Sequence, residues 1–395
     1  MSKNGRSAGT PAPPLACVIG EIDLVRALGL AGIPSAVVSP PGDFTRYSRF
    51  TRIAIDRIDA WRHPEELVDR LLALGQSQPS KPILYYNGDW NLLLVSRFRE
   101  RLSTAFRFIV PDAKLVEDIV DKARFQALAE KYNLPVPPSI RLAGPDSTAD
   151  HLRYPVVVKP FTRQHQTWKP FARAKVVQVD SEDELAKLRT RLASADIDAL
   201  AQEEIPGPES LVESYHAYVD TDGVLVGEFT GKKIRTYPTR HGYSTALCVT
   251  DARDVAELGA EILRHLDLRG VAKLDFKRHP VDGKLYLLEI NPRFNLWHHL
   301  GARAGVNLPE LVYRDLVGLE RRPMATARPG VRWCSPWRDV QAARAEGIPL
   351  RRWIPWAVSC EAKCAIAWDD PLPFFGACMH RAVRALRRSG PQPAD

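Results

Sequence analysis

The residues of this chain that are best suited to chemistry lie in the stretch YLLEINPRF, residues 286–294. A short apolar run ends there in Glu289, Asn291 and Arg293, three polar residues within five positions. Carboxylate and amide oxygens are ligands that suit Mg²⁺, and a guanidinium offers a fixed fork of donors to anions. A strand that ends in this set is therefore typical of a site for a metal ion and an anionic substrate.

The preceding residues predict how the oxygen ligands are positioned. The stretch KLDFKRHPVDGKLYLLEIN is typical of a β-hairpin, and a three-residue loop at 281–283 pairs Asp275 with Glu289. Because side chains alternate along a strand, Asp275, Glu289 and Asn291 then share one face, where facing carboxylates repel unless a cation lies between them. A two-residue loop at 282–283 would instead turn Asp275 to the other face. An exposed hairpin with ordinary charges is the simpler alternative.

Several lysines accompany these predicted ligands. Lys273 and Lys277 alternate with Asp275 along the same predicted strand. Lys159 ends the apolar run YPVVVK, and Lys122 begins the helical pattern DKARFQALAEKY. Each lysine alone is ordinarily a solvated charge, but together with the predicted metal ligands they favour a site for an anionic substrate.

The elements that must position these residues fall into two kinds. LACVIG, EIDLVRALGLAGI and SAVVSP read as strand, helix and strand, and this alternation predicts a mainly parallel sheet. Gly20 lies in the strand-to-helix turn without a GxGxxG pattern, which argues against a dinucleotide site and a dehydrogenase. Beyond a proline-rich boundary, a hairpin with Asp222-Gly223 as its turn begins an antiparallel α+β unit. We therefore expect an α/β plus α+β protein.

Composition excludes several classes of protein. The chain has 395 residues, 45% hydrophobic and 26% charged, and no apolar run approaches the roughly 18 residues of a membrane helix. The N-terminus lacks the apolar core of a secretion signal, so we expect a frayed tail and a cytoplasmic protein. Six cysteines without CxxC spacing indicate free thiols. The net charge of +8 is spread along the chain, which favours anionic small molecules over nucleic acid.

Four motifs in order, DKARFQALAEKYNLPVPPS, YPVVVKP, QEEIPGPES and AKLDFKRHPVDGKLYLLEINPR, resemble the ATP-grasp superfamily. The resemblance spans about residues 15–320 and implies an ATP-grasp fold with an N-terminal Rossmann-like pre-grasp domain and a C-terminal extension. The expected division is a disordered tail at 1–14, the pre-ATP-grasp α/β domain at 15–115, ATP-grasp lobe 1 at 116–205, ATP-grasp lobe 2 at 206–322 and a Trp-rich extension at 323–395.

The same resemblance implies ATP and Mg²⁺ as cofactors, with two magnesium ions expected and Mn²⁺ as a substitute. It also assigns roles to individual residues. These are Lys122 and Lys159 at the phosphates; Gln202, Glu203 and Ile205 at the adenine hinge; Glu209 at the ribose; Asp275, Glu289 and Asn291 at the metal; and Lys273 and Arg293 as the catalytic residues.

One feature departs from the family pattern. The loop FTRQHQTWKPFARA contains no glycine, whereas many members cover the phosphates with a glycine-rich flap. We expect side chains to replace backbone amides there, with His165, Trp168, Lys169 and Lys175 as candidates, unless the loop orders only on binding. This loop and the Trp-rich extension resemble a bacterial subgroup of carboxylate-amine ligases, with some similarity to D-aspartate ligase.

The resemblance implies that a substrate carboxylate attacks the γ-phosphate of ATP and that an amine then displaces phosphate from the acylphosphate. Small-molecule carboxylates and amines are the expected partners, with homodimerisation left open. Candidate substrate contacts are Lys232, Lys233, Arg235, Arg240 and Arg293, although the stretch GKKIRTYPTR also fits a solvated basic strand. His241 is read as structural. A kinase on the same fold and a non-catalytic nucleotide-binding protein are the alternatives.

Overall fold

The computed structural model describes residues 13–142, 152–161, 168–172, 176–364 and 366–389. The strands are β1 (Ala16–Ile19), β2 (Ser35–Ser39), β3 (Thr51–Asp56), β4 (Ile83–Tyr86), β5 (Ser139–Leu142), β6 (Val156–Pro160), β7 (Val177–Val179), β8 (Ala199–Glu203), β9 (Val212–Val219), β10 (Leu225–Tyr237), β11 (Tyr243–Thr250), β12 (Gly270–Arg278), β13 (Leu285–Asn291), β14 (Arg332–Cys334) and β15 (Ala362–Lys363).

The α-helices are α1 (Ile22–Leu30), α2 (Pro64–Gln76), α3 (Asp89–Arg97), α4 (Arg99–Ser103), α5 (Ala113–Val120), α6 (Lys122–Lys131), α7 (Trp168–Ala172), α8 (Glu182–Ser194), α9 (Arg253–His265), α10 (Trp297–Ala304), α11 (Leu308–Val317), α12 (Pro336–Ala345), α13 (Leu350–Ser359) and α14 (Leu372–Ser389). Two 3₁₀ helices lie at Phe44–Tyr47 and Glu209–Leu211. None of the helices in the described ranges has the length and apolar character needed to span a membrane.

The N-terminal sheet is parallel, in the order β3-β2-β1-β4. Leu24, Val25 and Leu28 of α1 are buried against it at the spacing of one helical face. The predicted α/β opening is confirmed. The carboxyl ends of β1 and β4 are adjacent because these strands pair directly, so residues that follow either strand meet at one edge of the sheet.

A second sheet, in the order β5-β8-β6-β7, is antiparallel and forms the small lobe of the fold. The helix α8 begins where Ser181 accepts a hydrogen bond from the Glu184 backbone N–H at 3.3 Å. Glu184 in turn accepts from the Asp180 N–H at 3.0 Å, so two side chains cap the start of this helix. Val156 and Val158 face α8 in the core of this lobe.

The largest sheet has the order β13-β12-β9-β10-β11-β14-β15. Its hairpin β9-β10 turns at Gly223, whose φ of +88° is the left-handed conformation that the sequence predicts. The helix α9 packs closely on this sheet at Gly259, because a Cβ there would lie 2.3 Å from the Tyr215 ring. The predicted antiparallel α+β unit is confirmed.

The Trp-rich segment is built into this architecture. β14 pairs with β11, so the segment extends the large sheet. The Trp333 indole N–H donates to Asp23 of α1 at 2.7 Å, and the segment therefore also contacts the N-terminal sheet unit. All six cysteines are free thiols, as predicted.

Candidate active site

The hairpin β12-β13 pairs Asp275 with Glu289, as predicted, and Lys273 with Asn291. The loop, however, differs from the prediction. His279 and Lys284 close a four-residue loop through a 2.8 Å backbone hydrogen bond. A register shift next to Asp275 then leaves Leu288 as one extra residue in β13, and this bulge restores the pairing of a three-residue loop.

The two facing carboxylates are supported differently. Asp275 is buried, accepts from the Ser214 hydroxyl and lies 2.5 Å from the Lys273 Nζ. Glu289 accepts from the Asn291 Nδ2 at 3.0 Å. The structure thus brings all three predicted metal ligands to one face of the hairpin. Sequence reasoning missed Ser214, which is opposite Asp275 on β9 and becomes visible only from the three-strand register.

Arg293 lies where the hairpin meets the N-terminal sheet. Its Nε donates to Asp89 Oδ1 at 2.7 Å, and its terminal nitrogen donates to Asn291 Oδ1 at 2.9 Å. Asp89 is the first residue of α3, directly after β4. The guanidinium is therefore held in place from both sides. Sequence reasoning missed Asp89, although its position just after a parallel strand is where ligands of such sheets bind.

The two predicted phosphate lysines come together at β6. Lys159 lies in this strand, and its Nζ donates to the Gln202 side chain at 2.8 Å. Lys122 is the first residue of α6, and its Nζ donates to the Pro160 carbonyl at 2.6 Å. Two ammonium groups from separate elements therefore lie beside the strand that leads into the glycine-poor loop.

The hinge region follows β8 and is held by cations of the large sheet. Lys277 donates to the carbonyls of Gly207 and Pro208 at 2.8 and 2.9 Å. Glu209 lies 3.4 Å from Lys233. Burial alone would raise the pKa of Glu209, but the charges of Lys233 and Lys277 outweigh it and lower this pKa below its ordinary value. The predicted ribose contact is thus an ionised carboxylate.

Further charges fix the end of β8. The Glu203 side chain accepts from the Arg153 N–H at 2.9 Å, and Ile205 is buried. Glu204 pairs with Arg240 at 2.9 Å and lies 3.5 Å from His241. Arg240, predicted as a substrate contact, therefore connects the β10-β11 loop to the hinge.

One predicted substrate contact is wrong. Arg235 is buried, and its guanidinium binds Asp339 of α12 through two hydrogen bonds of 2.9 and 2.7 Å. It also lies 3.9 Å from the centre of the Trp356 ring. Arg235 therefore neither contacts substrate nor lies in solvent, because its partners Asp339 and Trp356 belong to the C-terminal segment and cover it. Lys232, in contrast, is exposed.

The glycine-poor loop lies mostly outside the described residues, and His165 and Lys175 are among those not described. Nothing is described of the Lys169 side chain. Trp168 is buried in the core of the small lobe with its ring 5.9 Å from Phe171. The prediction of Trp168 as a phosphate contact is therefore wrong.

The residues present fit a magnesium ion. Asp275 and Glu289 face each other and Asn291 adds an amide, a hard-oxygen set to which phosphates and water supply the remaining ligands. The ammonium of Lys273 lies beside Asp275 and offsets part of the negative charge on this face. Across the described residues, no group of three or more His, Cys, Asp or Glu side chains is arranged to hold a metal alone. The described residues therefore do not form a metal site in which the protein supplies every ligand.

Comparison with known proteins agrees with this geometry. Residues 224–335 match a family described as ATP-grasp in the biosynthetic pathway with Ter operon. The chain is 25% identical over 288 residues to D-aspartate ligase of Enterococcus faecium, covering 69% of this chain and 68% of that protein.

Two solved structures share the fold. N5-carboxyaminoimidazole ribonucleotide synthetase in complex with ADP has a TM-score of 0.61 at 15% identity, covering 82% of this chain and 81% of that chain. L-amino acid ligase from Bacillus licheniformis has a TM-score of 0.59 at 16% identity, covering 80% and 78%. The chain thus shares the fold of these two structures, and its residues 224–335 are similar to an ATP-grasp family. The predicted resemblance to this superfamily, with some similarity to D-aspartate ligase, is confirmed.

Proposed function

We propose that the chain is an ATP-dependent ligase that activates a carboxylate as an acylphosphate and joins it to an amine, releasing ADP and phosphate. The observation that carries the proposal is the pairing of Asp275 with Glu289 beside Lys273, Asn291 and Arg293. Facing carboxylates with neighbouring cations suit a metal-bound triphosphate. The D-aspartate ligase and L-amino acid ligase relatives support this reaction class.

In this proposal the nucleotide lies between the small lobe and the large sheet. Lys122 and Lys159 offset phosphate charge, and the segment from Gln202 to Ile205 contacts the adenine. Glu209, which its lowered pKa keeps ionised at neutral pH, accepts from the ribose hydroxyls. Because Lys277 fixes the carbonyls of residues 207 and 208, the ribose contact is positioned before the nucleotide binds.

The reaction depends more on correctly positioned positive charges than on a general base supplied by the protein. Asp275, Glu289 and Asn291 would hold two Mg²⁺ ions, which when bound neutralise the phosphate oxygens; Mn²⁺ would substitute. The substrate carboxylate oxygen attacks the γ-phosphorus and ADP leaves. A neutral amine then attacks the acyl carbon, phosphate leaves, and the nitrogen loses a proton.

The catalytic residues in this scheme are Lys273 and Arg293. Lys273 faces the transferring phosphoryl group. Arg293, held by Asp89 and Asn291, donates to the oxyanion that forms when the amine attacks. Its fixed orientation lowers the cost of placing those donors during the reaction.

The experiment is a phosphate-release screen of amino acids and small carboxylates, D-aspartate included, with ATP and Mg²⁺, followed by mass spectrometry. We expect ADP, phosphate and a product whose mass is the sum of both substrates less water. Chelation should stop turnover, and added Mn²⁺ should restore it. A stable phosphorylated product instead of free phosphate would identify a kinase.

Two variants test the metal ligands. Asp275→Asn and Glu289→Gln keep the side-chain volume and should each lower ADP formation by about 100-fold or more, because charge on the phosphates is no longer offset. Asp282→Asn is the matched control, since this exposed carboxylate lies in the loop of the same hairpin. Full ADP formation by either ligand variant would contradict the proposal.

A further inference from the structure

A cleft of about 630 Å³ lies away from the proposed active site, and the proposed function does not use it. One wall comes from the N-terminal sheet unit, through α4 and residues 106–110. The other wall comes from the large-sheet unit, through the β9-β10 turn, Arg269 and Leu316. Arg269 precedes Asp275 by six residues, which at about 3.3 Å per strand residue places them about 20 Å apart. This feature is called the interunit cleft below.

The interunit cleft has an apolar floor. Phe106 and Ile109 are buried in its lining, and Phe108, Val110 and Leu316 are partly buried beside them. The volume of the cleft lies within the roughly 300 to 1000 Å³ that is typical of small-molecule sites. An apolar ring or branched chain that binds here is favoured because apolar surface leaves water. The floor therefore suits the apolar part of a small ligand.

The charged residues of the lining are mainly cationic. Three of them are arginines, Arg99, Arg107 and Arg269, and one is a carboxylate, Glu100. The Arg269 guanidinium pairs with Asp267 at 2.7 Å, so part of its charge is already offset. Arg99 and Arg107 instead donate to uncharged oxygen atoms. The interunit cleft therefore presents an excess of positive charge.

Hydrogen bonds hold these two guanidinium groups in place. Arg107 donates from one wall to the Leu316 carbonyl of the other at 3.0 Å. Arg99 donates to the carbonyls of Ser96 and Pro111 at 2.9 and 3.0 Å. A guanidinium has five N–H donors, and the Leu316 carbonyl takes one of those of Arg107. Because the Arg107 side chain is exposed, a small anion can reach this group from solvent.

We propose that the interunit cleft binds a small organic anion, with the apolar body of the ligand on the floor and its anionic group on Arg107. Guanidinium donors match carboxylate, sulfonate and phosphate oxygens in geometry and charge. A neutral apolar molecule would leave the arginine charges unmatched, and an inorganic anion would leave the apolar floor uncovered. The ligand class therefore combines both features.

The test is a fluorescence titration of the full chain with two dyes, anilinonaphthalene sulfonate and N-phenylnaphthylamine, which share a ring system and differ by the sulfonate. We expect the sulfonate to bind at least about tenfold more tightly. Arg107→Gln should weaken its binding by about tenfold or more, because the charged donors are lost. Arg101→Gln is the matched control, since this arginine of α4 pairs with Glu65 outside the cleft.

A second pair of variants adds charge instead of removing it. Ser103→Glu places a carboxylate in the lining and should also weaken binding of the sulfonate, whereas Thr104→Glu changes the exposed neighbour outside the cleft and should not. Circular dichroism establishes that the variants are folded. Equal affinity for the two dyes, or unchanged affinity of the sulfonate for either cleft variant, would overturn the proposal.

The titration is repeated with ATP and Mg²⁺ to separate the interunit cleft from the proposed nucleotide site. Affinity for the sulfonate should stay the same, because the two sites are about 20 Å apart along β12. Displacement of the dye by ATP would place it in the nucleotide site and would also overturn the proposal. None of these measurements depends on ATP turnover.

Discussion

At the scale of single residues, the site depends on how buried charges are neutralised. His216 lies opposite Lys273 on the neighbouring strand, with its ring stacked 4.4 Å from that of Phe229. Burial, with a smaller contribution from the charge of Lys273, lowers the pKa of His216 well below its ordinary value. A neutral imidazole beside Lys273 leaves the ammonium free to associate with Asp275 and anionic substrate.

The pair Glu209 and Lys233 gives a pH-dependent prediction. Because the folded-state pKa of Glu209 is lowered, the ionised carboxylate contributes stability above its ordinary pKa of 4.5, and this contribution is lost as pH falls through the lowered value. Lys233→Met should therefore reduce the free energy of unfolding by about 1 kcal/mol at neutral pH, and the deficit should shrink below pH 4.5.

Urea unfolding across acidic and neutral pH measures this deficit. Lys187→Met is the control, because Lys187 lies exposed on α8 and should show no such pH dependence. A deficit that stays constant, or grows, as the solution becomes acidic would show that Lys233 does not act through Glu209.

At the scale of secondary structure, one strand supplies groups to both halves of the site. Lys273, Asp275 and Lys277 lie at alternate positions of β12, and residues two apart on a strand point to the same face. The first two residues meet the predicted metal ligands of β13, and the third holds the hinge carbonyls. The bulge at Leu288 shifts the pairing register of β13 by one residue, and it leaves the alternation of side chains along β12 unchanged.

The contacts of Asp339 join strand β10 to helix α12 and give a prediction about stability. Asp339 accepts from Arg235, from the Thr245 hydroxyl at 2.8 Å and from the Trp353 indole at 2.8 Å. Asp339→Ala leaves a buried guanidinium without its partner, so we expect a loss of about 3 to 5 kcal/mol in the free energy of unfolding.

Urea unfolding at neutral pH measures this loss. Asp198→Ala, which removes the exposed ion pair with Arg141, is the control and should change stability little. If the two variants are equally stable, the pair between Arg235 and Asp339 does not hold α12 on the sheet.

At the scale of the whole molecule, the C-terminal segment joins the large sheet to the N-terminal sheet unit. Asp370 accepts from the Ser48 hydroxyl and the Arg49 N–H, each at 2.8 Å, and pairs with Arg26 at 3.4 Å. Arg26 and Asp370 are 2% and 1% exposed. The same segment pairs with β11 through β14, so it restrains two sheets at once.

Asp370→Ala should loosen this connection, because it leaves the buried Arg26 guanidinium without its carboxylate partner. We expect faster hydrogen exchange in residues 44–49 and in α14, with exchange in β5 to β8 unchanged. Asp369→Ala, at the exposed neighbouring position, should leave exchange in both regions as in the parent chain. A uniform increase over all three sheets would argue for global destabilisation instead.

Much of this protein could be predicted from local spacing. The alternation of β12 and β13 determined that Asp275, Glu289 and Asn291 share a face, and the helix-starting positions of Lys122 and Glu182 follow from their caps. The predicted loop was wrong while the predicted pairing was correct, because a longer loop and a bulge cancel. The loop length could not be predicted because one sequence can fit hairpin turns of different lengths.

Only the tertiary structure decided the long-range partners. Arg293 meets Asp89 across 204 positions, Arg235 meets Asp339 across 104, and Arg26 meets Asp370 across 344. By itself the sequence determined where strands, helices and charged residues alternate, since these depend on neighbours along the chain. It did not determine whether an arginine binds substrate or a buried carboxylate, because that depends on which distant element packs against it.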